Sequence, residues 1–331
     1  MRIGDKGVET ADAARPVRQH KWDPDVEVLI ARMEAAGVRP LREQGVARAR
    51  QVLESIPRPP GPDMSAVTDA AAESSEGPVP LRIYRPHQAS ATGAPALVWF
   101  HGGGMIMGSL DSFDRLAREI AAATGCVIVN VDYRLAPEHS FPAGNDDAYT
   151  ALIWTHQQAR ELGLDPTRIG VGGDSAGGGL AASTALRSRN EGGPSVAQQV
   201  MFYPGLERRR DRPSMREFGD SPFLTAEDID WMKDMYLGPD ASLDDQYGTP
   251  ALADDLSGVA PAIIAVGSGD PLRDGVEEYG TRLRDAGVPT AQLRYPGVGH
   301  GFVMQTAALA RARSAVTEVG ALVAARFRVP V

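Results

Sequence analysis

Hydrophobic positions recur along this chain with two different periods. From Asp23 onward, Val26, Leu29, Ile30 and Met33 follow one another at intervals of three, one and three, the spacing that gathers apolar side chains on one helix face. Gly37 and Pro40 supply a stop, and residues 41–53 predict a second short helix. Pro57, Pro59, Pro60, Gly61 and Pro62 then form a linker that no regular element can contain. Beyond it, short apolar runs alternate with longer helical patterns. Strands are predicted at 79–84, 96–100, 126–131, 168–172, 197–203, 261–267 and 291–295, and helices at 112–124, 145–162, 176–189, 274–286 and 306–327. Several of these strands are continuous apolar runs, as expected where helices cover both faces of a parallel sheet. The pattern predicts an α/β fold with a mostly parallel central sheet.

One stretch breaks the rhythm. Between Tyr203 and Pro261 the chain carries a helical pattern centred on 225–237 and no strand, which we expect to be an insertion over the C-terminal edge of the sheet. Residues 1–20 are polar and aperiodic, and a disordered tail is expected there. The expected division is a tail at 1–20, N-terminal helices and linker at 21–62, and a sheet-bearing domain at 63–331 with its insertion at about 205–250.

Composition narrows the partners. A net charge of −9 opposes nucleic acid and anionic membranes, whose binding is driven by Lys and Arg. The run Arg208-Arg209-Arg210 is too short and isolated to reverse this and is expected to be solvated surface. No stretch approaches the roughly 18 apolar residues that cross a bilayer, and the first 22 residues lack the apolar core of a secretory signal. A cytoplasmic protein without membrane insertion is the expectation. The single cysteine, Cys126, forbids an internal disulfide and sits in an apolar run, where a small buried hydrophobe is expected.

Chemistry concentrates in a few loops. Gly173-Asp174-Ser175-Ala176-Gly177 falls between a predicted strand and a predicted helix. That context suits a nucleophile elbow, whose sharp turn requires small residues two before and two after the serine. The letters alone are a weak signal, since a helix N-cap flanked by glycines would look the same. The context makes Ser175 the candidate nucleophile. His101-Gly102-Gly103-Gly104 directly follows the strand at 96–100, and backbone N–H groups there can face a developing oxyanion. Gly103, Gly104 and Ala176 are the candidate donors. A general base near neutral pH calls for histidine. Of His20, His87, His101, His139, His156 and His300, only His300 follows Ser175, as the order serine, acid, histidine demands. Asp270, just past the strand at 261–267, is the candidate acid, with Asp274 its nearest rival.

Other residues have plainer readings. Asp174 is expected to make a structural hydrogen bond, and Arg134 and Glu138 to form an ion pair or loop anchor. Trp231, Met232, Met235 and Tyr236 divide between core and substrate-pocket wall. Met105, Trp231, Met235 and Leu272 are the candidate pocket residues. No metal ligand set and no cofactor is expected.

Taken together, these motifs make the chain similar to the bacterial hormone-sensitive-lipase-like esterases, a branch of the α/β-hydrolases. Phe100-His101-Gly102-Gly103-Gly104 resembles the family's oxyanion motif, and Asp132-Tyr133-Arg134-Leu135-Ala136-Pro137-Glu138-His139 with Phe141-Pro142-Ala143 its post-strand signature. Gly173-Asp174-Ser175-Ala176-Gly177-Gly178, Asp270-Pro271-Leu272-Arg273-Asp274 and His300-Gly301-Phe302 resemble its nucleophile, acid and base motifs. Gly179 departs from the pattern, which usually has Asn there, and a local packing change is expected. The resemblance implies a cap built from the N-terminal helices and the insertion after Tyr203. It also implies a cofactor-free carboxylesterase for short acyl esters, often a homodimer. The same three residues would serve an amide, lactone or carbamate hydrolase. A non-catalytic receptor on this fold would be expected to lack one of them, and all three are present.

Overall fold

The computed structural model describes residues 21–238 and 245–328; the tail expected at 1–20 and part of the insertion lie outside them. Eight strands form one sheet: β1 (Ala66–Ala72), β2 (Val79–Arg85), β3 (Ala94–Phe100), β4 (Val127–Val131), β5 (Leu164–Asp174), β6 (Gln199–Phe202), β7 (Ala262–Gly269) and β8 (Thr290–Gly299). Their order is β1-β2-β4-β3-β5-β6-β7-β8. Only β2 runs against its neighbours; every pair from β4 to β8 is parallel. The chain is therefore an α/β fold with a mostly parallel sheet, as the alternation of runs predicts, and it agrees with the α/β-hydrolase fold that the resemblance implies. All of β4 and β6 is buried, which is why their sequences read as mostly apolar runs, interrupted only by Asn130 and Gln199.

One strand escaped the sequence pattern. The segment Ala66–Ala72 pairs over seven residues with β2, yet it is exposed along most of its length. Its alanines and Asp69 are poor strand formers and show no alternation, so the free edge of β2 decides its conformation.

Helices α1 (Pro24–Ala35), α2 (Leu41–Gln44) and α3 (Val46–Ser55) precede the sheet; α4 (Asp114–Thr124), α5 (Ala143–Gln157), α6 (Ala176–Glu191), α9 (Arg273–Asp285) and α10 (Ala310–Arg328) cover it. The long break between β6 and β7 carries α7 (Pro213–Phe218) and α8 (Ala226–Leu237). Thr225 caps α8 by accepting from the Asp228 N–H while the Asp228 carboxylate accepts from Thr225. The last helix starts four residues later than expected, because Phe302–Gln305 forms a tight 3-10 turn first.

The N-terminal helices are tied to the sheet's C-terminal side and to the β6–β7 segment. Asp23 donates its N–H to the Gly297 carbonyl at 2.9 Å, and the Asp25 carboxylate caps α10 at the Ala310 N–H at 2.8 Å. The Arg42 N–H reaches Asp228 on α8 at 2.9 Å. Ile106, Leu224, Ile229 and Met232 form a second apolar cluster with Leu41 and Val46 packed against it. The arginine run is solvated surface, as expected, and makes surface ion pairs to α8: Arg208 with Asp234 at 2.5 Å and Arg210 with Asp230 at 2.6 Å. Cys126 is buried, and that burial pushes its thiol up to about 12. Among the described residues, no helix is long and apolar enough to cross a membrane.

Candidate active site

The turn from β5 into α6 places Ser175 at φ +54° and ψ −118°, a region costly for any residue with a Cβ. Its neighbours allow it. A Cβ on Gly177 would run into the Phe100 carbonyl, and one on Gly173 into the backbone of Gly177. The turn is pinned from β6: Ser175 donates to the Phe202 carbonyl at 2.9 Å, and its own carbonyl accepts from Gly205 at 2.9 Å. Gly179 has its explanation in the same contact. A side chain there would begin 2.5 Å from the Gly205 carbonyl oxygen, so α6 packs against the 203–205 turn too closely for Asn.

Three groups from three strand ends converge. Ser175 Oγ lies 2.8 Å from His300 Nε2, and His300 Nδ1 lies 2.9 Å from Asp270 Oδ2. Asp270 stands just past β7 and His300 just past β8. The carboxylate is wholly buried, and its other oxygen accepts from the Leu272 N–H at 2.8 Å. The Tyr203 ring rests against the imidazole at 4.8 Å. Asp274, the rival acid, is committed elsewhere: it accepts from the Ser214 N–H at 2.7 Å and from Arg273 at 2.8 Å.

The glycine loop after β3 is held from below by His101. Its ring is fully buried, stacked on Tyr133 at 4.5 Å and on Phe113 at 5.0 Å. Burial pushes its imidazole down to about 4, so it is neutral, and its Nδ1 donates to the Gly102 carbonyl at 2.7 Å. Gly103, Gly104 and Met105 then turn through positive φ (116°, 64° and 66°). The Gly102 N–H donates to Asp174 at 3.1 Å, the structural hydrogen bond expected of that aspartate. Burial of Asp174 raises its carboxyl to about 7. Among the described residues, no acceptor meets the N–H groups of Gly103, Gly104 or Ala176. They are free to serve a ligand.

Two cavities touch Ser175. The smaller is lined by Met105, Ala176, Leu224, Ile229, Met232 and Leu272 among others; the larger runs past His300 to Val26, Leu29 and Met33 on α1. Of the candidate pocket residues, Met105 and Leu272 line the smaller cavity, whereas Trp231 and Met235 line neither. They pack against the second apolar cluster. Both faces of α8 touch apolar surroundings, so its pattern could not tell wall from core; Ile229, Met232, Lys233 and Tyr236 make the wall. Arg134 and Glu138 do not pair with each other. Arg134 holds Asp147 at 2.9 Å, and Glu138 meets Arg50 of α3 at 2.7 Å. Arg50, which the sequence did not single out, also donates to the Ile106 and Ala136 carbonyls at 2.6 and 2.9 Å. Among the described residues, no three His, Cys, Asp or Glu side chains gather closely enough to hold a metal ion.

Known proteins resemble this chain in sequence and in fold. A family model described as alpha/beta hydrolase fold matches residues 97–304. Carboxylic ester hydrolase LipN of Mycobacterium tuberculosis is 40% identical over 292 residues, covering 85% of this chain and 77% of that protein. Ethyl acetate hydrolase of Pseudomonas putida is 34% identical over 293 residues, covering 85% of this chain and 92% of its own length. The structure of an ester-hydrolase from the metagenome of Lake Arreo, complexed with a bipyridine phosphonate derivative, superposes with a TM-score of 0.88 at 34% identity. That match covers 93% of this chain and 100% of the other. The family match spans more than half of the sequence and agrees with the observed sheet order, and the chain belongs to the α/β-hydrolase fold family, in its hormone-sensitive-lipase-like branch.

Proposed function

We propose that this chain is a serine carboxylesterase that cleaves short-chain acyl esters through an acyl-enzyme on Ser175. The observation that carries the reading is the unbroken chain from Asp270 through His300 to Ser175 Oγ, which shares a cavity with Gly103 and Gly104, whose N–H groups meet no acceptor among the described residues. The Ser175 oxygen bonds to the ester carbonyl carbon as His300 Nε2 takes its proton. Asp270 accepts from Nδ1–H, fixing the imidazole's orientation and stabilising its charged form. The N–H groups of Gly103, Gly104 and Ala176 receive the oxyanion, a contribution of about 2.7–4 kcal/mol per donor. His300 returns the proton to the alcohol oxygen as the carbon–oxygen bond breaks. Water, deprotonated by the same imidazole, then releases the acid and restores Ser175.

The histidine also sorts the substrate. A group protonated by His300 must lie beside it, and His300 lines only the larger cavity. The alcohol portion therefore occupies the larger space and the acyl portion the smaller, mostly apolar one. The limited size of the smaller cavity supports a preference for short acyl chains, in keeping with the relative named ethyl acetate hydrolase. Helices α1–α3 and the segment with α7 and α8 act as the cap over both. The test is a p-nitrophenyl ester series from acetate to palmitate. The rate should peak at short chains, and Ser175→Ala should lower it by about three or more orders of magnitude. Wild-type turnover in the alanine variant would end the nucleophile assignment; a peak at palmitate would end the chain-length assignment.

A further inference from the structure

Two charged side chains line the smaller cavity, and only one of them is neutralised. Glu207 is gripped by Arg212 through two hydrogen bonds, at 2.7 and 3.0 Å, and Arg212 also meets Glu278. Lys233 on α8 is different. Among the described residues, no carboxylate lies within ion-pair reach of its ammonium, and no hydrogen-bond acceptor meets it. The acidic neighbour in sequence, Asp234, is taken by Arg208. Its ammonium lies 5.3 Å from the Tyr236 ring, which attracts a cation without cancelling its charge. Buried charges are normally paired. Lys233, half-buried, lines the same cavity as Ser175 and has no counter-ion among the described residues.

We propose that Lys233 binds a carboxylate at the far end of the acyl chain, so that the substrates of this site include half-esters of short dicarboxylic acids. This rests on the reading of Ser175 as the nucleophile and of the smaller cavity as the acyl side. The ester end undergoes the reaction already described: water is consumed, the alcohol leaves by the larger cavity, and the dicarboxylate leaves last. The distal carboxylate takes no part in bond making and serves as an anchor. Removal from water lowers the ammonium to about 8, with the Arg208 charge acting in the same direction and Glu207 against it. The anchor is therefore mostly charged at neutral pH and is lost as pH rises through that value.

The experiment compares paired esters of equal length in the full chain. Mono-p-nitrophenyl glutarate is set against p-nitrophenyl pentanoate, and the adipate half-ester against the hexanoate, reading the ratio of kcat/KM within each pair. Lys233→Met should lower the acid-to-neutral ratio of at least one pair by about 10- to 100-fold, mostly through KM. Lys233→Arg, which keeps the charge, should retain much of it. In the wild type alone the same ratio should fall as pH rises through about 8. Because a ratio cancels the titration of groups common to both esters, that arm decides the matter even if Lys233→Met fails to fold. Ratios unmoved by Lys233→Met and flat across this pH range would overturn the proposal while leaving the esterase reading intact. Cleavage of neither ester, or of both by Ser175→Ala, would overturn the esterase reading itself, and this proposal with it.

Discussion

Arg50 touches no reacting group, yet it holds the loop that carries two of the proposed oxyanion donors. Its guanidinium donates to the carbonyl of Ile106, two residues past Gly104, and to that of Ala136, whose own N–H donates to the Met105 carbonyl at 2.8 Å. One side chain thus ties the glycine loop to the loop after β4. Arg50→Met keeps much of the apolar stem and removes the donors. Two charge-assisted bonds contribute about 1.5 kcal/mol each at the low end of their range. The pair with Glu138 adds about 0.5 kcal/mol or less, since that carboxylate is 55% exposed. With 30% of the Arg50 side chain open to water, solvent replaces part of the loss, leaving about 2 kcal/mol net. If that energy holds the Gly103 and Gly104 N–H groups in place, kcat/KM falls by about 30-fold. Complete loss of one donor, at about 100- to 1,000-fold, sets the ceiling. Steady-state kinetics on p-nitrophenyl butyrate should show the loss in kcat. Affinity for a trifluoromethyl ketone, whose adduct presents an oxyanion, should weaken in parallel. Arg50→Lys should restore only part, because an ammonium cannot reproduce the fork. The Glu138 carboxyl, held down to about 2 by the Arg50 hydrogen bond, stays charged throughout such assays. A kcat within about twofold of wild type, or a loss confined to KM, would refute the positioning argument.

Two further outcomes follow from buried groups. Asp174 keeps its proton in the fold up to about pH 7, whereas an unfolded chain releases it near the ordinary value of 3.8. The unfolded state therefore binds fewer protons between these values, and this group lowers stability as pH rises through that window, by at most about 4 kcal/mol. Asp174→Asn keeps an acceptor for Gly102 and should flatten that decline; melting curves at pH 5 and pH 8 that keep the wild-type difference would contradict it. Cys126, buried and held near pKa 12, should react with a thiol reagent such as Ellman's only after unfolding. Rapid modification of the native protein would show that the strand it precedes opens readily.

How far the sequence could be read depended on how local each determinant is. Runs such as 127–131 announce themselves because both faces are covered, so apolar residues fill four of the five positions, Asn130 being the exception. Ala66–Ala72 could not, since its strand state comes from a partner and its own residues are indifferent. The meeting of Ser175, Asp270 and His300 was legible because chain order left only one histidine after the serine. Trp231 and Met235 were misplaced because an apolar residue on α8 satisfies a helical pattern equally well against cluster or cavity. Arg50 and Glu138 lie 88 positions apart, and no spacing rule connects them. Lys233 hides for another reason: a lysine gains significance from what does not surround it, and only coordinates show that.

The confinement of His300 to one of the two spaces beside Ser175 gives the proposed reaction a traffic order. Whatever that imidazole is to deprotonate has to arrive where the departing alcohol has just been, so exit must precede entry. An alcohol supplied in excess can queue for the same place as water and be acylated in its stead. Methanol or ethanol added to the medium should divert part of the product into a new ester, and enlarging the α1 side of the passage, as with Leu29→Ala, should shift that partition toward bulkier acceptors.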